Sequence, residues 1–368
     1  HDAAISSGLA IIANNRHLYE PKQQRQIKTL DFGFKKYNNQ GNISKILNKS
    51  ESEIKYMSHP CGSYNTNTLM ALKDLDVQLG FRQTMGIEKE KGNFTWEDVD
   101  KYVVYAQEHN QTILATIWPH TNWEQKSCKR KKAKSPFGKK FTKYLSKPCS
   151  MDDYKNFLLK LVDRYDGDGS NDMPGLTKPV LHWEIMNEPE FKMFFSGEED
   201  EFVEIFIASS KLIKAKQKDA VIIMAGAAGM HPDSKRFWSS ALPKIENHFD
   251  IANIHHITGP DGRCDKEMWV DEFTELLNKK NINKPIWVTE AMTGKCKAID
   301  TYINAFLSGA EVIIDVGVNA PGPKMSKENR NQLNKLIEKF NDFKLIRKLS
   351  INEVEFELNN GSLITYQY

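Results

Sequence analysis

The chain has 368 residues, 40% of them apolar and 27% charged, enough for one large domain or two small ones and for a core of ordinary size. A net charge of +3 is too small to point to a nucleic-acid partner, and no stretch reaches the ~18 apolar residues of a membrane span. Five cysteines (Cys61, Cys128, Cys149, Cys264 and Cys296) are too few for a disulfide scaffold.

Residues 1–50 are polar and rich in Asn, Gln and Lys, with one strand-like piece at Thr29–Phe34, and read as an N-terminal extension. The first residue is His1, so the chain reads as a mature or trimmed product whose secretory signal is gone, and the expected location is secreted or cell-surface. From Ile54 onward, apolar strand-like runs alternate with amphipathic helical stretches. The strands are expected at Ile54–Pro60, Val77–Gln83, Thr112–Pro119, Val180–Asn187, Val221–Ala225, Phe249–His256, Pro285–Glu290 and Glu311–Val316. Between them, Asp152–Tyr165 puts Tyr154, Phe157, Leu158, Leu161, Val162 and Tyr165 on one helical face. Glu201–Ala215 and Met268–Leu277 carry similar patterns.

Alternating β and α segments with short apolar strands predict a parallel sheet covered by helices. Eight repeats fit a closed (β/α)8 TIM barrel, and no glycine-rich phosphate fingerprint follows the first strand. The expected class is therefore α/β, with the barrel at 51–345. Residues 346–368 alternate with period 2 around Asn359-Asn360-Gly361, which predicts a short C-terminal β-hairpin packed on the barrel.

In such a barrel, functional groups sit where strands end and βα loops begin. Two strands end in a carboxylate: VLHWEIMNEPE in Asn187-Glu188-Pro189, and PIWVTEAMTG in Thr289-Glu290. An unpaired carboxylate is costly at the end of an apolar run. Two of them on strands four and seven face each other across the mouth, as retaining glycoside hydrolysis requires. Taken alone, Asn-Glu-Pro also reads as a helix start with proline at the first position, and Glu290 as a surface residue.

The stretches LKDLDVQLGFRQTMGIEKEKGNFTWEDVDKYVVYAQEHNQTILATIWP, LVDRYDGDG, VLHWEIMNEPE, FDIANIHHI and KPIWVTEAMTG span roughly 70 to 295. Through them the chain resembles the clan of TIM-barrel retaining glycoside hydrolases that includes families 5 and 39. That resemblance implies the general acid/base for Glu188, the nucleophile for Glu290, and contact with the sugar 2-hydroxyl for Asn187. It also implies that Arg82, ending the second strand, keeps Glu290 ionised. Strand alternation sends only one of His255 and His256 inward. The resemblance expects a residue here against the nucleophile, and His256 is slightly preferred. Strand eight departs from the clan: IIDVGVNAPGPK offers Asp315 or Asn319 where many relatives have tryptophan.

Trp118, His120 and Trp123, in IWPHTNW after strand three, suit stacking on sugar rings, with Trp118 equally readable as core. Trp269 and Phe191 are weaker candidates of the same kind, and His59 ends the first strand near the mouth. The expected function is hydrolysis of β-glycosidic bonds in a poly- or oligosaccharide, with no cofactor and no metal. Transglycosylation through the same intermediate is not separable from hydrolysis in the sequence.

Residues 126–147 hold ten Lys/Arg and no Asp or Glu. Cys128 and Cys149 bracket this run, while Cys264 and Cys296 each follow an expected strand. Two loop-closing disulfides with Cys61 left over suit an oxidising compartment, against the alternative of five unrelated thiols. A lysine-rich flap attracts an anionic polysaccharide, or is simply a solvated loop. DGDGSNDMPG places Asp166, Asp168, Ser170 and Asp172 like half a calcium loop, but Thr177 stands where a bidentate Glu is needed. Two rival functions remain: a carbohydrate-binding pseudoenzyme, which the presence of both carboxylates disfavours, and a metal-dependent polysaccharide deacetylase, which lacks an H-x3-H pair.

Overall fold

A computed structural model gives the fold, and it describes residues 70–71, 87–108, 113–130, 145–258, 269–291, 298–315, 328, 343–358 and 360–368. The chain divides into two compact units, 31–337 and a second made of 1–30 with 338–368.

In the larger unit, β1 (Met70–Ala71) is followed by a short antiparallel pair, β2 (Glu88–Glu90) and β3 (Asn93–Phe94). The pair turns at Gly92, whose φ of +73° is left-handed and costs glycine little. Then come α1 (Glu97–Glu108), β4 (Ile113–Ile117), α2 (Asn122–Ser127), α3 (Met151–Tyr165) and β5 (His182–Ile185). They are followed by α4 (Glu199–Lys216), β6 (Val221–Ile223), α5 (Pro232–Ile245) and β7 (Ala252–Ile254). The unit continues with α6 (Trp269–Lys279), β8 (Ile286–Ala291), α7 (Ala298–Leu307) and β9 (Ala310–Asp315).

Helix α3 shows how the sequence dictates its elements. Ser150 caps it, its hydroxyl accepting from the Asp153 amide at 3.1 Å, and Asp152 and Asp153 face the positive end of the helix dipole. Its buried residues are the six expected from the 3.6-residue period. Arg164 and Tyr165 at its end both hydrogen-bond Asp100 of α1, tying the two helices together.

The strands β1, β4, β5 and β6 pair in parallel in that order, as do β7, β8 and β9. Parallel bridges Ile223–Ile251 and Ala227–Ile254 join the two sets. Among the described residues this run is open, with β1 and β9 at its ends. The expected strands Ile54–Pro60 and Val77–Gln83 lie outside the described residues, and Met70–Ala71, where no strand is expected, pairs with β4.

Side chains show that the run is strongly curved. On a flat sheet, three spacings separate β5 from β8, roughly 14 Å. Yet Thr289 of β8 donates its hydroxyl to Glu184 of β5 at 2.9 Å. The rings of His182 and Trp287, on the same two strands, stack 5.5 Å apart. Leu114, Ile223, Ile251, Trp287 and Ile314 form one buried cluster drawn from along the whole arc. Inward positions follow the period of 2: His182 and Glu184, Ile251 and Asn253, Trp287 and Thr289.

The smaller unit holds β10 (Phe343–Ser350), β11 (Glu353–Leu358) and β12 (Leu363–Gln367), an antiparallel meander. β11 and β12 are the expected hairpin. β10 adds a third strand beginning ahead of residue 346, and Arg347 on it pairs with Glu355 and Glu357 of β11. The Thr29–Phe34 piece lies outside the described residues.

Candidate active site

Glu188 owes its placement to an irregular strand end. After β5 the Met186 amide still bonds the Ile117 carbonyl at 2.9 Å, but Met186 and Glu188 take positive φ, +69° and +41°. Left-handed backbone at residues other than glycine costs on the order of 1–3 kcal/mol each, and such strain gathers at functional sites. Glu290 reaches the site by another device. Between Val288 and Ala291, β8 has one residue more than the facing stretch of β9, Ile313 to Asp315. This irregularity lets Glu290, directly after the inward Thr289, also face the arc.

His255 lies between the two carboxylates and is fully buried. Its Nδ1 is 2.7 Å from Glu188 Oε1 and 3.5 Å from Glu290 Oε2. One oxygen from each carboxylate and one His255 ring nitrogen all lie within 4.8 Å of one another. On the other edge of the ring, Nε2 is 3.5 Å from Glu184 Oε1. His256, slightly preferred from the sequence, also stands near the pair, with its Nε2 4.0 Å from Glu188 Oε1. Alternation from inward Asn253 selects His255. Burial lowers the His256 pKa, against the opposing pull of Glu188 and Glu290.

Beneath the histidine is a polar layer that the sequence reading missed. Glu184 is completely buried. Its Oε2 accepts from the Thr116 hydroxyl at 2.5 Å, and its Oε1 from Asn253 Nδ2 at 2.6 Å and Thr289 Oγ1 at 2.9 Å. The available signal was parity: Thr116, Glu184, Asn253 and Thr289 are polar residues at inward positions of otherwise apolar strands. Glu190, just past Glu188, was also missed. Its Oε1 accepts from the Ala228 amide at 2.8 Å and from Trp238 Nε1 at 2.9 Å. Burial, with Glu188 nearby, pushes its pKa up to about 7.

Asn187 is 2% exposed, and among the described residues neither Oδ1 nor Nδ2 of its amide has a hydrogen-bond partner. Leaving such a group unsatisfied costs about 1–3 kcal/mol, which a bound ligand would recover. Trp118 is 8% exposed and packs edge-on to Phe194 and His120. His120 stacks on Phe195, with Nδ1 2.9 Å from the Ser146 carbonyl. Trp123 donates Nε1 to the Glu88 carbonyl at 3.1 Å. Phe191, His231, Trp269 and His256 form a second aromatic row, with His231 and Trp269 closest at 4.6 Å. Arg82 and His59 lie outside the described residues.

Two groups have the spacing to hold a metal ion among the described residues. The first, Asp163, Asp166 and Asp168, shares only Asp166 and Asp168 with the expected acidic turn, and Lys216 stands against it: its Nζ is 2.5 Å from Asp163, 3.5 Å from Asp166 and 3.0 Å from Asp168. Asp172 accepts instead from the amides of Gly167 and Gly169, closing the turn. The second group is Glu188, His255 and Glu290. With one histidine and two carboxylates it does not match the aspartate and histidine pair of a zinc deacetylase, and Glu188 and His255 already hydrogen-bond each other.

The disulfide Cys128–Cys149 joins the ends of the basic run, with its Cα atoms 6.3 Å apart. Cys61, Cys264 and Cys296 fall outside the described residues.

No protein-family model matches the chain, and none of the curated proteins does. Among solved structures, a glucosidase from Croceicoccus marinus is 14% identical with a TM-score of 0.49, over 73% of this chain and 62% of that one. A β-galactosidase from Marinomonas ef1 is 12% identical with a TM-score of 0.48, over 71% of this chain and 55% of that one. For a monomeric β-xylosidase from Caulobacter crescentus CB15 the values are 11% and 0.47, over 72% and 62%. The chain thus spans 55–62% of the length of these three proteins. Such distant likenesses leave the reading of the site to its own geometry.

Proposed function

We propose that the chain is a retaining glycoside hydrolase on a closed (β/α)8 barrel, acting on β-linked poly- or oligosaccharides. The observation that carries this reading is the approach of Glu188 and Glu290 to within 4.8 Å. Retaining enzymes hold their two carboxyl groups about 5–5.5 Å apart, whereas inverting enzymes leave roughly 6.5–9.5 Å for a water.

In the first step Glu188 gives its proton to the glycosidic oxygen. Glu290 attacks the anomeric carbon, the bond to the leaving sugar breaks, and a glycosyl ester forms on Glu290. In the second step Glu188 takes a proton from water, whose oxygen displaces Glu290 from the same carbon. The buried amide of Asn187, without a partner among the described residues, is the group to meet the sugar 2-hydroxyl. The barrel itself is supported by the arc, which already brings β5 and β8 within a hydrogen bond.

Screening on β-linked glycans tests the activity, and NMR of the first-formed product tests the stereochemistry. Retention of the anomeric configuration is expected, and inversion would overturn the mechanism. Glu290→Ala should abolish turnover on every substrate. Glu188→Ala should lose about 10²–10⁴-fold on natural glycans but little on substrates with good leaving groups, which need no proton. Near wild-type rates in both variants on a natural glycan would show the assignment to be wrong. Glycan binding without turnover in the wild type would make the chain a carbohydrate-binding protein.

A further inference from the structure

Resting on that hydrolase reading, we propose that Glu184 is a positioning residue: it holds a proton on Nε2 of His255, and this keeps the acid proton on Glu188. The argument starts from the environment of one ring. His255 Nδ1 faces Glu188 Oε1 at 2.7 Å and Glu290 Oε2 at 3.5 Å, while Nε2 faces Glu184 Oε1 at 3.5 Å. Ring and carboxylates are all buried. A neutral imidazole has one N–H and one lone pair.

Consider first the state in which His255 and Glu188 share two protons. Nε2–H points at Glu184, and the second proton lies between Nδ1 and Glu188, where Glu188 is ready to give it to a leaving oxygen. Now remove one proton. With the remaining proton on Nδ1, the bare Nε2 lone pair faces the Glu184 carboxylate. With it on Nε2, the Nδ1 lone pair faces the Glu188 carboxylate. Either arrangement sets a lone pair against an anion among buried groups, where such repulsion is poorly screened. Glu184 thus makes the loss of the acid proton unfavourable without touching substrate.

Glu184 is itself held in place. Thr116, Asn253 and Thr289 donate to its two oxygens, so it cannot swing away from the ring. Among the described residues, the other titratable groups around the pair include Glu290 from β8, His256 beside His255, and His231, whose charge acts on His256. Glu190 also interacts electrostatically with Glu188. Of these groups, only Glu184 meets His255 at Nε2 among the described residues.

Two measurements on the full chain test the inference. Wild-type protein labelled with 15N-histidine should show His255 protonated at Nε2 throughout pH 5–8. A bare Nε2 in that range would overturn the proposal, and this readout needs neither a variant nor a substrate. In Glu184→Gln the amide can donate to Nε2 and relieve the repulsion. The alkaline limb of kcat/KM should then fall to lower pH by about one unit while the acid limb stays in place. A uniform loss at every pH with both limbs unmoved would mean that Glu184 only supports the fold, and the proposal would fail. The two readings separate cleanly: an inactive wild type with Nε2–H retained removes the hydrolase reading, whereas an active enzyme with a bare Nε2 removes only the role of Glu184.

Discussion

A methyl group on Gly226 would overlap the His255 ring, so this position, three residues past β6, must be glycine for the histidine to lie between the carboxylates. Gly226 also accepts from the Glu188 amide at 3.2 Å. Gly226→Ala should therefore cost about 1–3 kcal/mol of stability through overpacking. Displacing His255 by about 1 Å should lower kcat/KM by up to about 100-fold. Thermal unfolding and kinetics on one preparation read both effects. Glu190 supplies a pH test. Its pKa rises from an ordinary 4.5 to about 7 on folding, so the native state binds the proton more tightly than the unfolded chain. The stability tied to this proton is fully present below pH 4.5 and is lost as pH rises to about 7. Glu190→Gln should therefore gain on the order of 1–2 kcal/mol over wild type between pH 5 and pH 8, as denaturant titrations would show. A gain independent of pH would contradict the origin given for it.

At the scale of elements, the end of α4 meets the acidic turn after α3 through Lys216. Its pKa is raised, first by hydrogen bonds to Asp163 and Asp168, so the ammonium stays in place at neutral pH. The wild-type Tm should therefore not respond to calcium or to EDTA, and a rise of several degrees with calcium would show that the lysine yields the site. The loop between α2 and α3 is closed by Cys128–Cys149 across 21 positions. A closed loop of that length stabilises by about 3 kcal/mol in the chain-entropy view. Replacing both cysteines with serine should lower the Tm, checked by calorimetry without reductant.

Across the whole molecule, a net charge of +3 coexists with the concentrated positive charge of residues 126–147. If that run lies over the substrate, rates on an anionic glycan should exceed those on its neutral counterpart and fall as salt is added. Equal, salt-insensitive rates would make it a solvated loop. The sequence by itself determined the periods of 2 and 3.6, and with them the parallel α/β order, the face of α3, the C-terminal hairpin and the two carboxylates at strand ends. These features depend on neighbours along the chain. Only the tertiary structure decided which histidine stands between Glu188 and Glu290, that Lys216 fills the acidic turn, and that Glu184 is buried under the site. The first and last depend on sheet curvature and strand irregularities and the second on how α4 ends beside α3; all bring together side chains dozens of residues apart and leave no period in the sequence.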